Sequence, residues 1–226
     1  MTLLYIAIIT LLSYLIGGIP VGSIIARINK VDISSQGSGK TGSTNVLRSV
    51  GRRAAALVLF GDFLKGTAAV LVARFLAVAL MPGEERLSFA GVSFLLLTLV
   101  SLISAAAAVA GHVWSIYLRV TQGKWQGGRG VATALGTALV VNPLVVVVAV
   151  LVAVPTIIIS RYVSLGSILG TAAGGLSIVL MVLLGQMDPL SILFIFLAVF
   201  IIAAHRDNIE RLLKGTERKI DDRLKV

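Results

Sequence analysis

Apolar residues occur in stretches long enough to cross a lipid bilayer, separated by short polar and charged segments. A helix needs about 20 apolar residues to span the hydrocarbon core. Residues 131–160 could form one tilted helix, or two short helices broken at Asn142-Pro143, because proline disrupts a helix and disfavours helical geometry before it. With that break, the pattern predicts seven spans, at residues 3–28, 54–80, 87–110, 131–141, 144–160, 162–184 and 190–204.

The distribution of basic residues favours seven spans over six. With seven, all the basic segments share one membrane face, which the positive-inside rule assigns to the cytoplasm. A single helix across residues 131–160 would place the basic tail opposite the other basic loops. We therefore predict a single domain over residues 1–226 in the inner (plasma) membrane. It is an all-α, multi-pass protein with seven transmembrane helices, its N-terminus outside and its C-terminus cytoplasmic.

Composition and charge narrow the class of protein further. Hydrophobic residues make up 57% of the chain and charged residues 13%, which is more apolar surface than one soluble core could bury. The net charge of +10 would suggest nucleic acid in a soluble protein. Here most of the charges lie in loops and in the tail, so anionic headgroups or phosphorylated substrates are the expected partners. The chain has no cysteine, which excludes disulfides and cysteine nucleophiles.

The first polar segment is rich in glycine and hydroxyl groups. It contains Gly37, Ser38, Gly39, Lys40, Thr41, Gly42, Ser43, Thr44 and Asn45, and ends at Arg48. Glycines allow successive N–H groups to converge on an anion, although a flexible connector would also contain them. Gly39-Lys40-Thr41 resembles the end of a Walker A loop, but Ser34 stands where that pattern requires glycine and no buried strand precedes it. An ATPase is therefore excluded.

Two further polar segments suit the same chemistry. Gly127-Gly128-Arg129-Gly130 precedes a predicted helix, where N–H groups and a guanidinium could bind an anion. His205 and Asn208 are three residues apart and share a helix face. We expect the histidine to form hydrogen bonds and not to bind a metal.

Two other patterns lie within the predicted spans. Asp62 and Lys65 could be a functional pair or a structural ion pair, since ionisable residues at that depth are costly. Gly166, Gly170 and Gly174 recur every four residues, which predicts close helix packing.

Taken in order, these segments resemble the motifs of the bacterial acyl-phosphate:glycerol-3-phosphate acyltransferase family (the PlsY type). Those motifs are S-G-N-x-G-A-T-N-x-x-R, D-x-x-K-G, G-H…G-G-K-G-V-A-T and H-R-x-N-I-x-R-L-x-x-G-x-E. The chain departs from them at four positions: Lys40 replaces Asn, Ser43 replaces Ala, Ser115 replaces Pro and Arg129 replaces Lys. The stretch 119–127 is also longer than usual.

The resemblance implies transfer of a fatty acyl group from acyl phosphate to the 1-hydroxyl of glycerol 3-phosphate, the first acylation of phospholipid synthesis. The products would be lysophosphatidic acid and phosphate, made at the cytoplasmic face with no metal or cofactor. The expected partners are the two substrates and membrane lipid, not nucleic acid. By motif position, the catalytic candidates, all expected to bind phosphate, are Ser38, Arg48, Arg129, His205 and Asn208. The further substrate-binding candidates are Gly37, Gly39, Gly42, Thr44, Asn45, Lys65, Gly127, Gly128 and Gly130.

A small anion or phosphoester transporter is the alternative of a different class. Its expected signs are inverted repeats and polar residues near the middle of the membrane. The two halves of this sequence do not resemble each other, and its donors cluster at one predicted face. An enzyme is therefore the preferred hypothesis.

Overall fold

The computed structural model describes residues 1–89 and 92–222, which form eleven α-helices, two short 3-10 helices and one hairpin. The 3-10 helices are Ile33–Ser35 and Pro189–Leu193. The α-helices in chain order are α1 (Thr2–Gly18), α2 (Val21–Ile28), α3 (Ser43–Ser49), α4 (Arg52–Leu80), α5 (Leu96–Val113), α6 (Ile116–Gln122), α7 (Val131–Val141), α8 (Pro143–Ser160), α9 (Val163–Leu183), α10 (Phe194–Ala203) and α11 (Arg206–Leu213).

Five segments are long and apolar enough to cross a membrane. They are Thr2–Ile28, Arg52–Leu80, Leu96–Gln122, Pro143–Ser160 and Val163–Leu183. A sixth is present if Pro189–Ala203 and Arg206–Leu213, which bend by 57° at their junction, count as one span. Helix α7 is apolar but has only 11 residues, about 16 Å of helix against about 30 Å of hydrocarbon. The structure is thus that of a helical membrane protein with five to six candidate spans among its described residues.

The break predicted at Asn142-Pro143 is present. Helix α7 ends at Val141 and α8 begins at Pro143. The Asn142 side chain accepts a hydrogen bond from the Leu144 N–H at 3.0 Å, which caps the new helix. Proline at the first helical position loses no helical hydrogen bond, so the sequence Asn-Pro stops one helix and starts the next.

The predicted third span, residues 87–110, begins too early. Arg86–Phe89 (β1) and Val92–Leu95 (β2) pair antiparallel, with Arg86 opposite Leu95, and α5 starts only at Leu96. The sequences Leu-Ser-Phe and Val-Ser-Phe alternate in polarity with a period of two, which is the strand pattern. The apolar character of this stretch alone could not separate the hairpin from the apolar helix that follows it.

Glycines bring the long helices into backbone contact. A Cβ on Gly170 would lie 2.7 Å from the Ala153 Cβ, and one on Gly174 would lie 3.4 Å from the Ala149 Cβ. The predicted close packing of the Gly166-Gly170-Gly174 face is therefore confirmed, with α8 as its partner. Helices α4 and α7 approach more closely still, because Cβ atoms on Gly66 and Gly136 would lie 2.1 and 2.0 Å from the carbonyl oxygens of Thr133 and Phe63.

Substitutions at two of these glycines should differ in their effect on stability. Gly136→Ala places a methyl group onto the α4 backbone, and we expect overpacking to cost about 1–3 kcal/mol. Gly174→Ala is the matched control, because its methyl group would make an ordinary contact of 3.4 Å. Thermal unfolding in detergent measures both variants. Equal melting temperatures would contradict the close α4–α7 contact.

Candidate active site

The side chain of Asn45 holds the first glycine-rich loop in shape. Asn45 is buried, and its Nδ2 donates to the carbonyl oxygens of Gln36 and Lys40, both at 2.9 Å. Its Oδ1 accepts from the Ser38 N–H at 3.4 Å. Gly37 and Gly39 have φ values of 58° and 67°, a left-handed geometry that glycine adopts without strain. Asn45 therefore acts on the loop itself, and its polar atoms are occupied there.

Arg48 connects the helix after this loop to the C-terminal tail. Its Nη2 donates to the carbonyl oxygens of Arg218 at 2.9 Å and Lys219 at 3.2 Å. Its Nε is buried and has no hydrogen-bond partner among the described residues. The guanidinium thus still has a donor available for an anion.

The second glycine-rich segment packs against the end of α5. The N–H groups of Gly127 and Gly128 donate to the carbonyl oxygens of Val113 and His112, at 3.0 and 3.2 Å. Both N–H groups are therefore occupied, and neither is oriented as the anion donor that the sequence suggested. Gly130, with φ of 90°, is the N-cap residue that precedes α7. These glycines fix the position of Arg129, whose Nε is buried without a partner in the part of the chain that the structure describes.

The third segment supplies hydrogen-bond acceptors. His205 Nδ1 lies 2.8 Å from the carbonyl oxygen of Ile201. Because a carbonyl oxygen can only accept, Nδ1 carries the hydrogen, and Nε2 is the unprotonated nitrogen of the neutral ring. Asn208, one turn later, donates through Nδ2 to Glu217 Oε1 at 2.8 Å. Its Oδ1 is buried and unpartnered among residues 1–89 and 92–222.

All five catalytic candidates line one polar cavity of about 120 Å³. Ser38 and Arg48 come from the first segment, Arg129 from the second, and His205 and Asn208 from the third. The other lining residues are Gly37, Thr44, Asn45, Val163, Ser164, Ser167, Arg211, Glu217 and Arg218. Segments far apart in the sequence therefore meet at one place.

A larger cavity of about 510 Å³ adjoins the polar one. Ser38, Arg129 and His205 line both, so the two cavities meet at these side chains. Most of the larger cavity is formed by apolar residues of α7, α8, α9 and α10, down to Val145, Ile178 and Phe194. Gly42, Gly128 and Gly130 also line it, whereas Gly39, Gly127 and Lys65 line neither cavity.

Lys65 belongs to a buried network beside these cavities. Its Nζ lies 2.8 Å from Asp62 Oδ1 and donates to the Ile19 carbonyl oxygen, also at 2.8 Å. His112 Nδ1 lies 3.5 Å from the same Asp62 oxygen. The network joins α4 to the α1–α2 break and to the end of α5. Asp62 and Lys65 therefore form an ion pair, while Asp62 and His112 also line the larger cavity.

The polar cavity is strongly basic. Burial, and then the neighbouring charge of Arg129, lower the pKa of Lys40, which lines the adjoining apolar cavity. Burial also lowers the pKa of Arg129 and of Arg48, and the Arg211 charge adds to this effect at Arg129. Such shifts arise because several cations share a partly desolvated space. The cavity therefore favours an anion.

Sequence reasoning missed several residues of this cavity. Ser164 and Ser167 line it without belonging to an identified motif. Arg211 and Glu217, which is the buried carboxylate within the cavity, belong to the last motif but were not among the predicted site residues. The only signal for Glu217 was its place in the G-x-E at the end of the third motif. Nothing in its local sequence indicated burial.

A helical membrane protein with a basic cavity beside an apolar one is suited to substrates that carry phosphate and lipid chains. The chain belongs to the glycerol-3-phosphate acyltransferase family, whose model matches residues 7–215. It is 42% identical to the glycerol-3-phosphate acyltransferase of Clostridioides difficile (strain 630), over 94% of each chain. It is 39% identical to glycerol-3-phosphate acyltransferase 3 of Dehalococcoides mccartyi (strain CBDB1), over 95% of each chain.

Solved structures agree with this assignment. The chain superposes with a TM-score of 0.75 and 34% identity on the glycerol 3-phosphate form of PlsY, an integral membrane glycerol 3-phosphate acyltransferase. The lysophosphatidic acid form of PlsY gives a TM-score of 0.74, again at 34% identity. Each comparison covers 95% of this chain and 94% of the other. The family expected from the sequence is therefore confirmed.

Proposed function

We propose that the protein transfers a fatty acyl group from acyl phosphate to the 1-hydroxyl of glycerol 3-phosphate. The products are lysophosphatidic acid and inorganic phosphate. The observation that carries the proposal is the junction of a basic cavity with an apolar one at Ser38, Arg129 and His205. Family membership and the glycerol 3-phosphate and lysophosphatidic acid forms of PlsY support the acceptor and the product.

The apolar cavity suits the acyl chain of the donor. Its wall includes small residues of α8 and α9, among them Ala149, Ala153 and Gly170. Its inner end contains Val145, Ile178 and Phe194, all buried in one hydrophobic cluster. An acyl chain lying there places the acyl phosphate carbonyl at the basic end, beside the acceptor.

The reaction we propose is direct attack by the glycerol hydroxyl on the acyl carbon. Acyl phosphate is a mixed anhydride, so the acyl–oxygen bond breaks with inorganic phosphate as the leaving group. The hydroxyl proton passes to a phosphate oxygen of the donor or to His205 Nε2. The chain contributes position and charge: cations at Arg48 and Arg129 offset the repulsion between two phosphates, and alignment of the reactants lowers the barrier by several kcal/mol.

The donor and the order of steps are tested in one assay. Purified protein in lipid should release phosphate from acyl phosphate only with glycerol 3-phosphate present, and should strongly prefer acyl phosphate to acyl-CoA. Varying both substrates should give intersecting double-reciprocal lines, because direct transfer needs both bound together. Equal rates with acyl-CoA would refute the donor. Parallel lines, or acyl-labelled protein without acceptor, would refute direct transfer.

Arg48 should be required for binding anionic substrate. We expect Arg48→Ala to lower kcat/KM at least about tenfold, since a hydrogen bond to a charged group contributes about 1.5–3 kcal/mol. Arg53→Ala is the matched control, because Arg53 is exposed at the start of α4 and lines neither cavity. Turnover near the wild-type level in the Arg48→Ala variant would remove this arginine from the site.

We further propose seven membrane crossings, with α7 and α10 among them, the N-terminus outside and the site at the cytoplasmic face of the inner (plasma) membrane. The basic side chains support this orientation, because they gather at the polar cavity and in the tail. The native chain has no cysteine, so a single Gly215→Cys substitution gives a clean label. The label should react with an impermeant thiol reagent only after the membrane is opened. Reaction in intact cells would overturn the topology.

A further inference from the structure

Glu217 is a buried carboxylate in a cavity that is otherwise basic. Its side chain is only 4% exposed. Oε1 accepts hydrogen bonds from Asn208 Nδ2 at 2.8 Å and Ser164 Oγ at 3.0 Å, and Oε2 accepts from Arg211 Nε at 2.7 Å. A buried carboxylate with three donors has a fixed position.

The turn after α11 brings Glu217 to this position. Gly215 adopts φ of 67°, and its N–H donates to the Leu212 carbonyl oxygen at 3.2 Å. The Thr216 N–H donates to the Arg211 carbonyl oxygen at 2.8 Å. This pair of bonds is a Schellman motif, which reverses the chain so that it runs back along the helix. Glu217 then faces Asn208 and Arg211 of the helix it has just left.

The contact with Glu217 decides which atom of the Asn208 carboxamide remains without a partner. An ionised carboxylate can only accept, so the group 2.8 Å from Oε1 must be the Asn208 nitrogen. The oxygen is then on the other side, and it is buried without a partner among the described residues. Asn208 itself is 5% exposed and lines the polar cavity. Its free atom is an acceptor, which a phosphate oxygen cannot satisfy.

The unpartnered groups around the cavity therefore divide into two kinds. Arg48 Nε and Arg129 Nε are donors, as a phosphate requires. Asn208 Oδ1 is an acceptor, as a hydroxyl group requires. A ligand that carries both a phosphate and a hydroxyl satisfies both kinds, and glycerol 3-phosphate is such a ligand.

We propose that Glu217 is a positioning residue that keeps the Asn208 oxygen toward the cavity, where it accepts a hydrogen bond from a hydroxyl group of glycerol 3-phosphate. This inference rests on the proposed function. It revises the role of Asn208 expected from its motif, which was phosphate binding. In this role Glu217 acts through Asn208 and does not contact the substrate.

The test compares an acceptor that has hydroxyl groups with a phosphate that has none. Methyl phosphate serves as the second probe, measured as a competitive inhibitor against glycerol 3-phosphate. In Asn208→Ala we expect the KM for glycerol 3-phosphate to rise about three- to tenfold, the loss of one hydrogen bond. The inhibition constant of methyl phosphate should stay within about twofold, because its contacts are to the arginines.

The Glu217 variants separate positioning from structural collapse. Glu217→Ala should raise the KM for glycerol 3-phosphate as Asn208→Ala does, whereas methyl phosphate should bind as well or more tightly, because a negative charge has left the cavity. Glu217→Gln should restore most of the wild-type KM, since its carbonyl oxygen can still accept from Asn208 Nδ2. Glu210→Ala is the matched control: Glu210 pairs with Lys214 on the exposed side of α11 and should have no effect.

In either alanine variant, an inhibition constant for methyl phosphate that rises as much as the KM for glycerol 3-phosphate would overturn the inference. Asn208 would then bind phosphate, or the site would be deformed. An unchanged KM in Asn208→Ala would overturn it as well. If Glu217→Ala does not fold, Asn208→Ala and Glu217→Gln still decide the matter. Failure of the proposed function would be a separate result, because the wild-type protein itself would then not turn over acyl phosphate and glycerol 3-phosphate.

Discussion

A backbone carbonyl oxygen that loses its helical hydrogen bond inside a membrane protein requires another donor. This requirement, at the break between α1 and α2, determines several buried contacts of the structure. The α1–α2 break at Ile19-Pro20 leaves the carbonyl oxygens of Gly18 and Ile19 without the N–H donors of a continuous helix, and only the Val21 N–H reaches Ile19, at 3.0 Å, among the backbone donors of the described residues. Ser115 Oγ donates to Gly18 at 2.6 Å, and Lys65 Nζ donates to Ile19 at 2.8 Å. A buried lysine needs a counter-charge in turn, which Asp62 supplies at 2.8 Å. The break thus determines the side chains around it.

The same network extends to the active site. Asp62 also faces the ring of His112, and the His112 carbonyl oxygen accepts from the Gly128 N–H at 3.2 Å. A Cβ at Gly128 would collide with the His112 ring, so only glycine allows this approach. Arg129 is the next residue in the chain after Gly128. Its position at the cavity therefore depends on a helix break more than a hundred residues earlier in the chain.

This dependence explains which features the sequence could predict. The local sequence pattern predicts the helices, the Asn142-Pro143 break and the glycine packing face. The basic residues on one predicted membrane face indicate that Ser38, Arg129 and His205 lie together. The partners of the Gly127 and Gly128 N–H groups are distant in sequence, so these groups looked free. The hairpin before α5 was missed because apolar content does not distinguish a strand from a helix. Glu217 was missed because a carboxylate beside basic residues in a tail normally remains solvated.

The balance of charge in the polar cavity has a consequence for the proposed reaction. Two phosphates must lie close together before transfer, and their repulsion in a partly desolvated space is large. Arg48 and Arg129 offset it, but a cavity with cations alone would also retain the phosphate product. Glu217 places one negative charge among these cations without occupying their free donors, because Arg211, Asn208 and Ser164 already hold it. The proposed reaction needs this balance, because the site must hold two anions before transfer and release one of them afterwards.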